Sequence, residues 1–105
     1  MRKGMDEDYK NAWIFLSAGM GGDRSPVTFR SILGGADAIN HAVPTHQELQ
    51  TAFKWLTTHG LMKKVGKGFA ITDDGSSLLA EASSRSDNIY DHLKYIEKRF
   101  GEISD

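Results

Sequence analysis

Residues 44–79 read PTHQELQTAFKWLTTHGLMKKVGKGFAITDDGSSLL, and the fold turns on how this stretch is parsed. Thr45-His46-Gln47-Glu48 is a capping box, in which the threonine hydroxyl and the glutamate carboxylate each bond the other residue's backbone N–H. Pro44 just before it cannot extend a preceding helix. Leu49, Ala52, Phe53 and Leu56 then recur at helical spacing, and Gly60 supplies a left-handed exit. Leu61 to Val65 and Gly68 to Thr72 read as two short strands, joined through Gly66-Lys67 in a two-residue turn with glycine first. Met62, Phe69 and Ile71 are placed to cover a core, and Val27 would add a third strand if it pairs with this hairpin. Thr72 caps a further helix whose first turn holds Asp73 and Asp74 and whose buried side is Leu78, Leu79 and Ala82.

Working outward toward the start, Asp6 to Ala18 reads as a first helix. Asp6, Glu7 and Asp8 sit at the positive end of its dipole, and Ala12, Trp13, Phe15 and Leu16 form its apolar residues, with Trp13 in the core. Gly19 to Pro26 is a loop by composition. Phe29, Ile32, Leu33, Ala36 and Ile39 mark one face of a second helix that Thr28 caps. Gly34 and Gly35 weaken its middle by roughly 1 kcal/mol each relative to alanine. The tight connection from Ile39 to the capped Thr45 makes these two helices a helix-turn-helix candidate. Toward the end, Ser83 to Ser86 is a polar break, and 87–100 is a last helix with Ile89, Leu93, Ile96 and Phe100 on one seam and Tyr90 on its flank.

The segment Pro44–Leu79 resembles the recognition helix and wing of winged-helix transcription regulators of the MarR and PadR type. The resemblance is carried by Thr45, Glu48-Leu49, Ala52, Leu56, Gly60-Leu61, Phe69, Ile71-Thr72, Gly75 and Leu78-Leu79. It covers about a third of the chain directly and most of it by element order. It implies a mainly α fold with a small β-hairpin, a winged helix-turn-helix, over 1–105 as a single domain. Terminal helices build the dimer in such regulators, so the resemblance also implies a homodimer through Ile89, Leu93, Ile96 and Phe100. The same seam alternatively seals the chain's own core.

Composition bounds the rest. The 105 residues are 39% hydrophobic and 26% charged, enough for a packed core and unlike a disordered chain. With no cysteine, disulfides and thiolate metal sites are excluded. The opening Met-Arg-Lys-Gly-Met-Asp-Glu-Asp lacks the apolar run of a signal peptide, and no stretch approaches a membrane span, so a cytoplasmic protein without membrane contact is expected. The net charge of −1 hides an uneven distribution. Lys54, Lys63, Lys64 and Lys67 face Glu48 alone between Pro44 and Thr72, whereas Asp73 to Asp105 holds eight acids and four bases.

If Leu49, Ala52, Phe53 and Leu56 face inward, then His46, Gln47, Gln50, Thr51 and Lys54 face outward. Gln can bond an adenine edge and Lys can reach guanine or phosphate, so this face suits a DNA major groove. Lys63, Lys64 and Lys67 would meet phosphates, which supply affinity rather than sequence reading. The expected function is therefore double-stranded DNA binding by a small transcriptional regulator. The alternative is a winged-helix protein–protein interaction module, docking a partner on the same face or on an exposed Trp55. Trp55 otherwise packs under the hairpin or against the last helix.

Catalytic and metal readings are weaker. His41, His46, His59 and His92 show no helical pairing with one another, so no metal is expected. Asp37, Asn40 and His41 read as groups satisfying a helix end. Ser76-Ser77 and Ser83-Ser84 lack a nucleophile-elbow context, and Gly19 to Gly22 lack the Lys-Ser/Thr of a phosphate loop. Neither an enzyme nor a cofactor is expected.

Overall fold

A computed structural model describes residues 5–19, 26–28, 32 and 44–104. Over these the chain is mainly helical with a small antiparallel hairpin. The order is α1 (Met5–Gly19), α2 (His46–Thr58), β1 (Met62–Val65), β2 (Gly68–Ile71), α3 (Asp73–Arg85) and α4 (Ile89–Ser104).

Helix α1 is the central rod. Every residue from Asn11 to Ala18 is buried, so this second half of the helix is enclosed on all sides rather than on the single face its spacing suggests, while Glu7 and Lys10 before it are exposed. It packs on α2 and α4 and more lightly on α3. Phe15 meets Phe100 of α4 with ring centroids 5.5 Å apart. Buried Ser17 is satisfied by donating to the Trp13 carbonyl at 2.7 Å.

The capping box that starts α2 is formed as expected. Glu48 N–H donates to Thr45 Oγ1 at 3.1 Å, and Thr45 N–H donates to Glu48 Oε1 at 2.8 Å. Leu49, Ala52, Phe53 and Leu56 are its buried residues. At the other end Gly60 has φ +74°, the Leu61 N–H donates to Leu56 O at 2.9 Å and the Gly60 N–H to Thr57 O at 3.2 Å. These two bonds satisfy carbonyls that the helix terminus would leave open, and they turn the chain sharply into β1.

The hairpin pairs Met62 with Ile71, Lys63 with Ala70, Lys64 with Phe69 and Val65 with Gly68. Gly66, at φ +59°, makes the turn. Both strands are one residue shorter than the sequence suggests, because Leu61 and Thr72 serve the junction instead. The Thr72 N–H donates to Leu61 O, while its hydroxyl donates to Gly60 O at 2.6 Å and accepts from the Gly75 N–H at 3.1 Å. A Cβ on Gly75 would lie 2.2 Å from Leu61 O, so the start of α3 can approach this junction only as glycine. Val27 pairs with Phe69 in an isolated antiparallel bridge through bonds of 2.7 and 2.8 Å, short of a third strand.

Three helix boundaries in the second half differ from those expected. Helix α3 continues through Ser83 and Ser84 to Arg85, since both hydroxyls donate to carbonyls of the preceding turn, of Ala80 and Glu81. The break moves to Ser86–Asn88, so the last helix starts at Ile89 and not at Asp87 as expected; Asn88 Oδ1 accepts from the Tyr90 N–H at 2.8 Å and opens α4. Helix α4 then runs to Ser104, four residues past the expected end at Phe100.

The apolar seam of α4 requires a correction. Leu93, Ile96 and Phe100 are buried within this chain, and Ile89 packs partly buried against the same core. They close the core over α1 and so do not supply a face for a second copy. Of the expected second helix, Ile32 alone is described. It is helical and buried, with its N–H bonded to Thr28 O at 3.2 Å. Phe29, Leu33, Gly34, Gly35, Ala36, Ile39 and the Asp37, Asn40, His41 group lie outside the described residues. Among the described residues no helix is long and apolar enough to cross a membrane.

Candidate functional site

Once the apolar side of α2 is inside, what remains outside is fixed by helical geometry. His46, Gln47, Gln50, Thr51 and Lys54 are all exposed. At about 100° per residue they fall on one arc of roughly 140°, with Gln50 and Lys54 near its middle. The edge of this arc is tied to the hairpin by Phe53 and Phe69, whose rings stack with centroids 4.2 Å apart and planes 8° from parallel. Lys64 lies directly across from Phe69 and therefore on the same sheet face, extending the polar surface that α2 begins. Lys63 emerges on the opposite sheet face and Lys67 at the turn, and all three lysines are exposed.

The side chains of Gln47, Gln50, Thr51, Lys54, Lys63, Lys64 and Lys67 have no hydrogen-bond or ion-pair partner among the described residues. Glu48, the one acid of the segment, is already engaged. Its carboxylate accepts from the Thr45 N–H and pairs with Lys10 of α1 at 2.9 Å. The Thr45 backbone bond, followed by Lys10, holds the Glu48 carboxyl below its ordinary value of 4.5. The field over α2 and the hairpin is thus left to four lysines.

Beside this arc the first half of α1 and the first turn of α2 enclose an open cleft of about 380 Å³. Glu7, Lys10 and Asn11 of α1 face Gln47, Glu48 and Thr51 of α2 across it. The sequence reading singled out neither the cleft nor Asn11. Its signal is the burial stripe of α1, which, carried back from Phe15 by three or four residues, meets polar Asn11 and Asp8 in place of apolar residues.

Other expectations resolve as packing. The Trp55 ring lies against Phe100, centroids 4.6 Å apart, and against His59 at 4.1 Å, so Trp55 is not an exposed docking residue. The His59 Nδ1 lies 2.8 Å from Trp55 O, and the His92 Nε2 meets the Ser86 carbonyl. Among the described residues no three His, Asp or Glu side chains converge as a metal-binding set.

A second polar cluster joins α3 to α4. Arg99 donates to Glu81 Oε2 at 3.0 Å and to the Tyr95 hydroxyl at 3.1 Å, and pairs with Glu102 at 3.3 Å. The Arg85 guanidinium sits 4.5 Å from the centroid of the Tyr95 ring. No protein family, curated protein or solved structure matches this chain.

Proposed function

We propose that the chain is a winged-helix domain that binds double-stranded DNA as a small transcriptional regulator. Helix α2 enters the major groove with His46, Gln47, Gln50, Thr51 and Lys54, and Lys63, Lys64 and Lys67 of the hairpin meet the backbone. The observation that carries this reading is the outer arc of α2, where Gln47, Gln50, Thr51 and Lys54 are unpartnered among the described residues. That arc is continuous through the Phe53–Phe69 stack with a hairpin bearing three exposed lysines. A surface whose donors are open and whose charge is positive suits phosphate oxygens and base edges. An overall charge of −1 does not oppose it, because between Pro44 and Thr72 four lysines stand against Glu48 alone and the acids lie elsewhere in the chain.

Fluorescence anisotropy with a labelled random-sequence duplex at low salt tests the reading. Binding tighter than the roughly 1–100 micromolar typical of non-specific complexes at physiological salt is expected. Reversing charge on the arc with Gln50→Glu and Lys54→Glu is expected to abolish it while leaving the melting temperature unchanged. Absence of duplex binding by the unmodified protein at low salt would overturn the proposal.

A further inference from the structure

We infer that the cleft between α1 and α2 is a binding site for a small polar cation: a primary amine that also carries hydroxyl or carbonyl oxygens, of the size of an amino sugar. Asn11 and the charges around it point to this ligand, independently of DNA binding. Asn11 is 4% exposed and lines the cleft, yet its carboxamide has no hydrogen-bond partner among the described residues. No side-chain nitrogen or oxygen sealed from solvent lacks a partner there, so this amide is satisfied through the cleft rather than by protein. A buried amide offering both a donor and an acceptor into a cleft of about 380 Å³ is a polar anchor at the small end of ligand-site volumes.

The charges select the ligand. Glu7 and Glu48 line the cleft with Lys10. Lys10 already bridges to Glu48 at 2.9 Å, and Glu7 is exposed with no ion-pair partner among the described residues. Among the described lining residues two carboxylates stand against one ammonium, and Glu7 is the carboxylate without an ion pair there. An anion would meet both acids, and a purely apolar molecule would cover the Asn11 amide without bonding it. An ammonium group reaching Glu7, with oxygens for the Asn11 and Gln47 amides and the Thr51 hydroxyl, matches the open groups of the described lining. Glu7 and Asn11 stand four residues apart on α1 and so share one side of that helix.

The test is a titration of the ¹⁵N-labelled protein, following the Asn11 side-chain NH₂ signals by NMR. The probes are glucosamine, glucose and glucuronate, which keep one ring and change the charge. Glucosamine is expected to shift these signals saturably at millimolar concentration, glucose at least ten-fold more weakly, and glucuronate not at all. Glu7→Gln, at an exposed position, is expected to reduce glucosamine to the level of glucose. Asn11→Leu is expected to remove the saturable shift of the Thr51 amide. Should Asn11→Leu fail to fold, Glu7→Gln alone decides. Asn11 signals unmoved by glucosamine, equal shifts with glucose, or an unchanged preference in Glu7→Gln would each overturn the site.

Discussion

Helices α2 and α4 carry the same kind of sequence, an apolar seam backed by polar residues, and they differ in what their outer sides are attached to. On α4, Arg99 is held by Glu81, Tyr95 and Glu102, and Tyr95 is covered by Arg85 of α3. On α2, Gln47, Gln50, Thr51 and Lys54 reach outward with no partner among the described residues, and the neighbouring hairpin lysines do the same. Surface ion pairs of the α4 kind are worth little individually, but they occupy their own donors and acceptors. The lesson is that amphipathic pattern alone does not mark an interface. Open groups alone do not mark one either, since Lys94 and Lys98 of α4 are also exposed without a partner among the described residues; what sets α2 apart is that its open groups adjoin three further exposed lysines on the hairpin.

The largest expected effect breaks the comparison on its α4 side. Phe100→Ala removes a fully buried ring that meets both Phe15 and Trp55, and is expected to cost about 3–5 kcal/mol, read as the loss in unfolding free energy by urea titration. A folded monomer replacing a wild-type dimer, seen by sedimentation, would instead place that ring at a subunit interface.

The α2 side is sharpened by its cap. Thr45→Ala removes one half of the capping box and is expected to cost about 1 kcal/mol, or roughly 4–8 °C in melting temperature. The Glu48 carboxyl is held below its ordinary 4.5, so its contribution to stability is complete above that pH and is lost as pH falls through the folded-state value. Melting curves of the wild type and Glu48→Gln are therefore expected to differ at neutral pH and to converge on acidification below about 4.5.

The smallest effects lie on the two outer surfaces. Arg99→Met is expected to cost less than about 1 kcal/mol, because its pairs are partly exposed. Lys54→Ala is expected to change stability by no more than about 0.5 kcal/mol, since nothing among the described residues depends on it. A larger loss at Lys54 in thermal melts would show that α2 is not as free as its surroundings indicate.

The elements legible in the sequence were those set by near neighbours. Thr45 with Glu48, Gly60 as the helix exit, Gly66 at the turn and Thr72 as the next cap are each local, and each forms as its residue type requires. The outward arc of α2 followed too, because a 3.6-residue period fixes the outside once the inside is known. What needed the folded chain was non-local. Serines 83 and 84 look like a break until their hydroxyls turn back on the helix. The α4 seam could face α1 or a second copy until Phe100 is seen against Phe15. The cleft at Asn11 exists only where two helices distant in sequence meet, and no spacing within either one announces it.

The contrast between the Arg99 cluster of α4 and the open, lysine-flanked face of α2 is tested most directly by the salt dependence of duplex binding, for the wild type and for Lys63→Gln, Lys64→Gln, Lys67→Gln combined. If the hairpin lysines hold phosphates, the slope of log K against log salt should flatten by about 0.9 for each phosphate no longer neutralised, roughly 3 in all, with the fold intact. An unchanged slope would separate the hairpin from DNA and leave the lysine-bearing surface without the role proposed for it.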